Sequence, residues 1–414
     1  MRPFHGWCLI LVLMIASATA QTAKTPKSTP TPATKPNDAV QIEQSKIAAA
    51  ALNDFGRQLI TRVATGKHEN LFVSPLSIFV ALTMAETGSD GQTRTAMRHG
   101  LAVPVNVSED TLHQSASALL KSLNSQQGVE LSIANGLWSD PSEPLSAHFV
   151  QQSKELYEAD ARTLDFRHAG AADVINAWVK QKTHGKIPSI VTPDVVRASK
   201  AMLTNAVYFR GKWSVPFPKD DTQPAPFHLG NGHEKNVPMM HVASLRGAYR
   251  AGDGYEAAIL DYQSSTIKLF AVLPAPGKSP EDVLAGLWLK AFLSTYGSFD
   301  LNLSLPRFTF DFSYKLKDQL EQMGMAVAFH PGAEFAPMGS PRFFIGDVLH
   351  KTRVEVDEEG TVAAAATAVP MKAMSAMRPT NTKTLVFDRP FAVVLCDTAT
   401  GAILFAGVVY DPAP

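Results

Sequence analysis

The sequence predicts an α+β fold, in which helices and strands are mixed along the chain. Apolar and polar residues alternate in 129–137 and in 301–312, which is typical of strands. In 47–63 and 110–123 apolar residues recur at spacings of three and four, as on one face of a helix. These elements do not follow the strand–helix–strand rhythm of a parallel α/β sheet, so the class is α+β.

Residues 1–20 read as a signal peptide. Arg2 gives a positive start, the run from Cys8 to Ile15 is apolar, and Ala18-Thr19-Ala20 is a small-residue cleavage site. The apolar run is too short to span a bilayer as a helix of the mature protein. We therefore expect a secreted protein with no membrane contact after signal removal: extracellular, or periplasmic if the source is a Gram-negative bacterium.

Residues 21–38 are rich in Thr, Pro and Lys, and we expect a flexible linker there. No second linker follows, so 39–414 is interpreted as one domain. Once the signal has been removed, Cys396 is the one remaining cysteine; it lies in an apolar run and is expected to be buried. The chain has 38 acidic and 38 basic residues, so no large field for nucleic acid or anionic membranes is implied.

Several segments give more specific predictions. Ser74 suits an N-cap and Pro75 the first helical position, and Gly88 is placed to end that helix. Residues 255–274 read as two strands around a polar turn at 263–265.

Later in the chain, the alternation in 301–312 changes parity at Pro306, which indicates a bend or bulge. A helix is expected next, with Leu316, Leu320 and Met323 on one face. Residues 384–409 then predict paired strands around the turn at 398–401.

The common enzyme motifs are absent. The sequence contains no G-x-S-x-G elbow, no H-E-x-x-H, no C-x-x-C pair and no G-x-x-x-x-G-K-[ST] phosphate loop. A triad assembled from distant residues is the enzymatic alternative, because spacing does not test it. We favour a protein that is not an enzyme.

One stretch has an unusual composition. Glu358 and Glu359 are followed by Gly360 and then by nine small or β-branched residues, including four consecutive alanines. Such a segment is small enough to slide between neighbouring strands, and it can turn at the glycine. The alternative interpretation is a disordered Ala-rich linker.

This stretch resembles the hinge of the reactive-centre loop of serpins, of the inhibitory type. Residues 70–78 (Asn-Leu-Phe-Val-Ser-Pro-Leu-Ser-Ile) and 203–213 (Leu-Thr-Asn-Ala-Val-Tyr-Phe-Arg-Gly-Lys-Trp) are also similar to serpin segments, and the resemblance covers nearly all of 39–411. It implies mixed β-sheets with about nine helices and an exposed reactive-centre loop, and no cofactor or metal. By the same resemblance, the hinge residues are Glu358, Glu359, Gly360, Thr361, Ala363, Ala364, Ala365 and Ala366.

The resemblance also implies two clusters in the main sheet. Ser74, Ser77, Asn205 and His350 lie in apolar segments and, as buried polar groups, need partners. In serpins such residues form the shutter network, which controls how readily the sheet opens. At the top of the sheet, Arg307 is expected to pair with Glu358, near Trp213.

An inhibitory serpin is cut in its loop by a serine protease, and the loop then inserts into the main sheet with the enzyme still attached. Counting forward from Glu358 places the reactive bond at Met374–Ser375, with Ala373 as the nearest rival. Met374 suits an apolar specificity pocket, so the expected partner is elastase-like or chymotrypsin-like, and a monomer is expected. The alternative function is a non-inhibitory serpin acting as a binding or chaperone-like protein.

Overall fold

A computed structural model of the chain describes residues 36–64, 68–286, 297–361 and 382–412. Helix α2 illustrates how the sequence sets the elements: it begins at Pro75, and Ser74 Oγ accepts the backbone N–H of Ser77 at 3.2 Å. It ends before Gly88, as the sequence predicts. The α-helices in these ranges are α1 Pro36–Ala64, α2 Pro75–Thr87, α3 Gly91–Gly100, α4 Glu109–Asn124, α5 Ala147–Tyr157, α6 Ala171–Lys182, α7 Pro193–Ala198, α8 Pro280–Gly286 and α9 Lys317–Leu320.

The main sheet has six strands among the described residues, in the order β10-β11-β12-β4-β2-β3. Its central strands β4 and β11 run parallel, whereas β2 pairs antiparallel with β4 and β10 pairs antiparallel with β11. The strands are β2 Val129–Ser139, β3 Asp160–Thr163, β4 Ala201–Lys212, β10 Phe308–Lys315, β11 Val348–Val356 and β12 Gly360–Thr361.

A second sheet joins nine strands of the described chain, in the order β1-β15-β14-β8-β7-β6-β9-β13, with β5 paired to β6. The pairs β7–β8 and β14–β15 are the two hairpins predicted for 255–274 and 384–409. The strands are β1 Leu71–Val73, β5 Gln223–His228, β6 Glu234–Gly252, β7 Tyr255–Asp261, β8 Ile267–Pro274, β9 Gly297–Pro306, β13 Thr382–Val386, β14 Phe391–Asp397 and β15 Ile403–Val409.

The segment 301–312 differs from its prediction of one bent strand. The chain leaves the second sheet at Pro306, the last residue of β9, and enters the main sheet at Phe308, the first residue of β10. The change of parity at Pro306 therefore marks a crossing between two sheets. Arg307 lies at this crossing, where its N–H donates to the carbonyl of Pro238 at 2.9 Å.

Two helices also differ from the sequence pattern. Helix α1 begins at Pro36, so it includes the last three residues of the predicted linker. The linker is predicted from its high content of Thr, Pro and Lys. Proline is nevertheless well tolerated in the first turn of a helix, so its presence does not exclude a helix start at Pro36. After Leu316 the regular helix lasts four residues and gives way to a π turn, because Gly324 adopts a left-handed φ of 94°.

The interior consists of a large apolar cluster and a smaller one. The smaller cluster holds α6 against the main sheet, where Ile175 and Trp178 pack with Trp138 and Met202. Cys396 belongs to the large cluster and is fully buried, as predicted. Of the helices in the described ranges, none has both the length and the apolar character to cross a membrane.

Candidate functional site

The central strands of the main sheet separate at one end. From Val348 to Arg353, β11 pairs directly with β4. Beyond that point β12 lies between them: Thr361 is opposite Gly211 of β4 and also opposite Val356 of β11. The first residues of the predicted hinge therefore occupy the space between two strands that pair directly lower down. We call this space the strand gap.

Glycine is required at two positions in the strand gap. A Cβ on Gly360 would lie 2.0 Å from the carbonyl oxygen of Gly211, and a Cβ on Gly211 would lie 2.5 Å from Cδ1 of Tyr262. Real side chains do not approach so closely. Gly360 therefore allows the hinge to lie directly against β4, and Gly211 leaves room for the Tyr262 ring beside it.

The turn before β12 is fixed by backbone and side-chain hydrogen bonds. Asp357 Oδ1 accepts the N–H groups of Glu359 at 2.9 Å and Gly360 at 3.1 Å. Trp213 contributes twice: its Nε1–H donates to the carbonyl of Asp357 at 2.9 Å, and its backbone N–H donates to the carbonyl of Glu359 at 3.0 Å. Burial raises the pKa of Asp357, and the nearby charges of Glu358 and Glu359 raise it further. The two N–H hydrogen bonds lower the pKa but do not cancel the rise.

Glu358 is held by two partners at the top of the main sheet. Its Oε1 accepts hydrogen bonds from the Arg307 guanidinium and from Thr222 Oγ1, the latter at 2.7 Å. The Glu358 side chain is 4% exposed and that of Arg307 is 47% exposed. Burial alone would raise the pKa of Glu358, but these two hydrogen bonds outweigh it and lower the pKa. Next to this pair, Lys219 contacts Glu359.

Thr361 is buried in the strand gap, with a partner for its hydroxyl. Thr361 Oγ1 lies 2.6 Å from the hydroxyl of Tyr262. The Tyr262 ring stacks on Trp213, with ring centroids 4.7 Å apart. Burial raises the pKa of Tyr262 well above its usual range, so the phenol stays protonated and can donate.

Lower in the sheet, the structure brings together all four residues predicted for the shutter network. Asn205 Oδ1 accepts from Ser77 Oγ at 2.8 Å and also contacts His350 Nδ1. Ser74 Oγ donates to the carbonyl of Leu404 at 2.7 Å. All four residues are fully buried. Their side chains join α2 to both β4 and β11, below the strand gap.

The protonation of His350 follows from its two partners. The backbone N–H of Ser74 donates to His350 Nε2 at 3.2 Å, so this nitrogen carries no proton. The proton is then on Nδ1, which donates to Asn205 Oδ1. Burial lowers the pKa of His350 to about 3, so the ring is neutral at physiological pH.

Nearly the whole of the described chain matches one known protein family. The model of the family described as "Serpin (serine protease inhibitor)" matches residues 50–412 of the chain. The chain belongs to the serpin family. Many members of this family inhibit serine proteases.

Individual relatives cover nearly the whole of this serpin. An uncharacterized serpin-like protein of Thermococcus kodakarensis is 34% identical over 381 residues, which is 91% of this chain and 88% of that protein. Human alpha-1-antichymotrypsin is 32% identical over 376 residues, 88% of each chain. The structure of human thyroxine-binding globulin in complex with thyroxine has a TM-score of 0.81 at 25% identity, and the match covers 90% of this chain and all of that one.

Part of the predicted site lies outside the described residues. These positions are Ala363, Ala364, Ala365 and Ala366 of the hinge, the reactive bond Met374–Ser375 and its rival Ala373. The four hinge residues from Glu358 to Thr361 are described, and they lie at the strand gap of this serpin.

Sequence reasoning missed four residues that contact the predicted set. Asn135 of β2 accepts a hydrogen bond from Asn205 Nδ2 and extends the shutter network by one strand. Thr222, Lys219 and Tyr262 contact Glu358, Glu359 and Thr361 respectively. A polar residue inside an apolar strand was a usable signal for Asn135. Lys219 and Thr222 lie in and next to a short 3-10 helix, and Tyr262 directly follows β7. None of the three carries a local sequence pattern that predicts a contact with the hinge.

Proposed function

We propose that this serpin is a secreted inhibitor that traps a serine protease covalently. The protease serine attacks the carbonyl of Met374, the bond to Ser375 breaks, and the new amine leaves while an ester joins Met374 to the enzyme. The freed hinge then inserts as a strand between β4 and β11. The attached protease is carried along and held before water can hydrolyse the ester.

The position of Gly360 and Thr361 is the observation that supports this proposal most strongly. Both residues pair with β4 in the uncut chain, and Thr361 pairs with β11 on its other side. The residues that follow are small, so they can enter between the same strands. Each inserted residue would add roughly two backbone hydrogen bonds, at a net gain of about 1 kcal/mol per bond, and ordering that residue costs about 1–2 kcal/mol, so the two nearly cancel. The driving force must therefore include burial of the inward-facing side chains and relief of a native state that is short of its best packing.

The choice of protease follows from the residue before the cut. Methionine is unbranched and apolar, and it suits an enzyme with an apolar specificity pocket. We therefore assign elastase-like or chymotrypsin-like enzymes as targets, with Met374–Ser375 as the reactive bond. Cleavage after Ala373 is the alternative within the same segment.

Mixing the mature protein with pancreatic elastase tests this function. We expect a complex that survives denaturing electrophoresis, together with a released peptide whose first residue is Ser375. A peptide that begins at Met374 would move the reactive bond to Ala373. Cleavage without any stable complex would reject trapping, and an uncut loop would reject this class of target.

Secretion is tested separately. The full chain is expressed in a secreting host, and the N-terminus of the exported protein is sequenced. Export with a new N-terminus at Gln21 agrees with a signal peptide of 1–20. Retention in the cell with Met1 intact would contradict it. Size-exclusion chromatography of the same material tests the expected monomer.

A binding or chaperone-like serpin is the second candidate. The structural neighbour that supports it is thyroxine-binding globulin, which was solved in complex with thyroxine and has a TM-score of 0.81 to this chain. Such a function does not need rapid strand insertion. Cleavage of the loop by both elastase and chymotrypsin, with neither enzyme trapped, would favour this non-inhibitory function.

A further inference from the structure

The hydroxyl of Tyr262 contacts the hinge at the residue where the inserted strand begins. Tyr262 and Thr361 are each 2% exposed, and their hydroxyl oxygens are 2.6 Å apart. Tyr262 is not part of the main sheet: it follows β7 of the second sheet and forms an isolated bridge with Trp213. A residue next to one sheet therefore reaches into the strand gap of the other.

The Tyr262 ring is fixed on three sides. It stacks on Trp213 with an interplanar angle of 17°, and it packs edge-on against Phe209 with centroids 5.2 Å apart. On the third side it lies over Gly211, where even a Cβ would come within 2.5 Å of the ring. The hydroxyl consequently has one direction, and that direction is toward Thr361.

We propose that Tyr262 is a positioning residue whose hydroxyl holds Thr361 in the strand gap before the loop is cut. Losing the hydroxyl leaves that of Thr361 buried without its partner, which favours withdrawal of the hinge from the gap. The effect of Tyr262 on covalent trapping rests on the proposed function, in which the strand must insert before water hydrolyses the ester. The position of the hinge in the uncut protein can be measured without any protease.

Hydrogen exchange of the uncut mature protein tests the position directly. In Tyr262→Phe, we expect the amides of 357–361 to exchange roughly 5- to 150-fold faster, the range that an unpartnered buried hydroxyl implies. Tyr249→Phe is the matched control, because Tyr249 is also buried and donates to Glu256 at 2.5 Å. Exchange within twofold of wild type, at an unchanged melting temperature, would overturn the proposal.

A double-variant cycle separates the hydrogen bond from general damage. Thr361→Val keeps the shape of the side chain and removes its hydroxyl. We expect Tyr262→Phe combined with Thr361→Val to exchange more slowly than the product of the two single effects, because no unpaired hydroxyl remains. Additive effects would mean that the two hydroxyls are not coupled, and would reject the role of Tyr262.

The number of inhibitor molecules consumed per elastase gives a functional measurement. We expect it to rise in Tyr262→Phe while the rate of loop cleavage stays at the wild-type value, since only the step after cleavage is slowed. Should wild type form no complex while the exchange results hold, the proposed function fails and the positioning role stands. A consumption equal to wild type, with complexes formed normally, would contradict the role in trapping.

Discussion

Asn205 and His350 face each other across β4 and β11, the two central strands that would part in the proposed insertion of the loop. They are register partners in the parallel pair β4–β11, and the imidazole Nδ1–H donates to the amide oxygen. The same oxygen accepts from Ser77 on α2. One buried acceptor thus connects both strands to the helix beneath them, and it is positioned to resist their separation.

Asn205→Ala should make the main sheet easier to open. The change leaves the donors of Ser77 and His350 buried without their acceptor, at about 1–3 kcal/mol each. We expect a lower melting temperature and faster polymerisation on mild heating, measured by thermal unfolding and native electrophoresis. Asn176→Ala is the matched control, since Asn176 accepts the N–H groups of Ile190 and Val191 away from the strand gap. Equal polymerisation rates in the two variants would contradict the prediction.

His350 should make the stability depend on pH. Burial lowers its pKa to about 3 in the folded protein, from an ordinary value of 6.5. The unfolded chain therefore binds the proton more readily, and the free energy of unfolding falls as pH drops from 6.5 toward 3. Above pH 6.5 the residue makes no pH-dependent contribution.

Urea unfolding at pH 7 and pH 5 measures this effect. Wild type should lose about 2 kcal/mol more than His350→Gln over this interval, because the slope approaches ~1.4 kcal/mol per pH unit. The comparison uses the difference in slope, so a general loss of stability in the variant does not disturb it. Parallel profiles for the two proteins would show that His350 is not the titrating group.

Thr361→Arg should convert the inhibitor into a substrate. Thr361 is 2% exposed between β4 and β11, and an unpaired guanidinium at that depth costs several kcal/mol. The loop should still be cut at the same bond, while the gel-stable complex with elastase disappears. Thr95→Arg, at an exposed position of α3, is the control and should trap normally. Wild-type yields of complex from Thr361→Arg would reject strand insertion for this chain.

How far the sequence predicted this molecule depends on the kind of signal. Ser74 and Pro75 set the start of α2 because capping is local chemistry, and alternation located the hairpins of the second sheet. The period of two at 301–312 says which residues share a face and not which sheet a strand joins. The sequence therefore predicts a bend or bulge at Pro306, where the structure has a crossing between the two sheets.

The contacts of the candidate site fall into two groups: those that the sequence predicts and those that depend on tertiary packing alone. Family resemblance supplied Glu358, Arg307 and the shutter network, since those residues lie in recognisable segments. Tyr262 reaches the hinge from the end of β7, and its direction is set by packing against Trp213. Thr222 reaches it from the turn after Phe217. Both are distant from the hinge in the sequence. Contacts made only by tertiary packing leave no local pattern in the sequence.

Cutting the loop near Met374 should stabilise the protein. Insertion adds a strand to the main sheet, whereas nicking an ordinary surface loop leaves stability unchanged or slightly lower. We expect the melting temperature to rise by roughly tens of degrees, which corresponds to a large free-energy gain for a domain of this size. A cut between Gly230 and Gly232, in the β5–β6 turn, is the control for a nick without insertion. A rise of only a few degrees would favour the non-inhibitory function.

The ion pair of Arg307 and Glu358 should keep the top of the main sheet closed. Arg307 is 47% exposed, so the attraction itself is worth only ~0–1 kcal/mol. Glu358 is nearly buried and also accepts from Thr222, so a lysine there would place a second cation beside Arg307. Such an uncompensated buried charge can cost ~3–5 kcal/mol.

Glu358→Lys should therefore loosen the hinge and let the loop of one molecule enter the strand gap of another. We expect this variant to polymerise on mild heating, and size-exclusion chromatography measures the loss of monomer. Glu155→Lys, on the exposed surface of α5, makes the same charge change and should remain monomeric. Adding Arg307→Glu to Glu358→Lys restores opposite charges at positions 307 and 358, so the monomer should return in part. If the double variant polymerised as fast as Glu358→Lys, the two side chains would not be coupled, and loss of the Thr222 hydrogen bond would account for the opening instead.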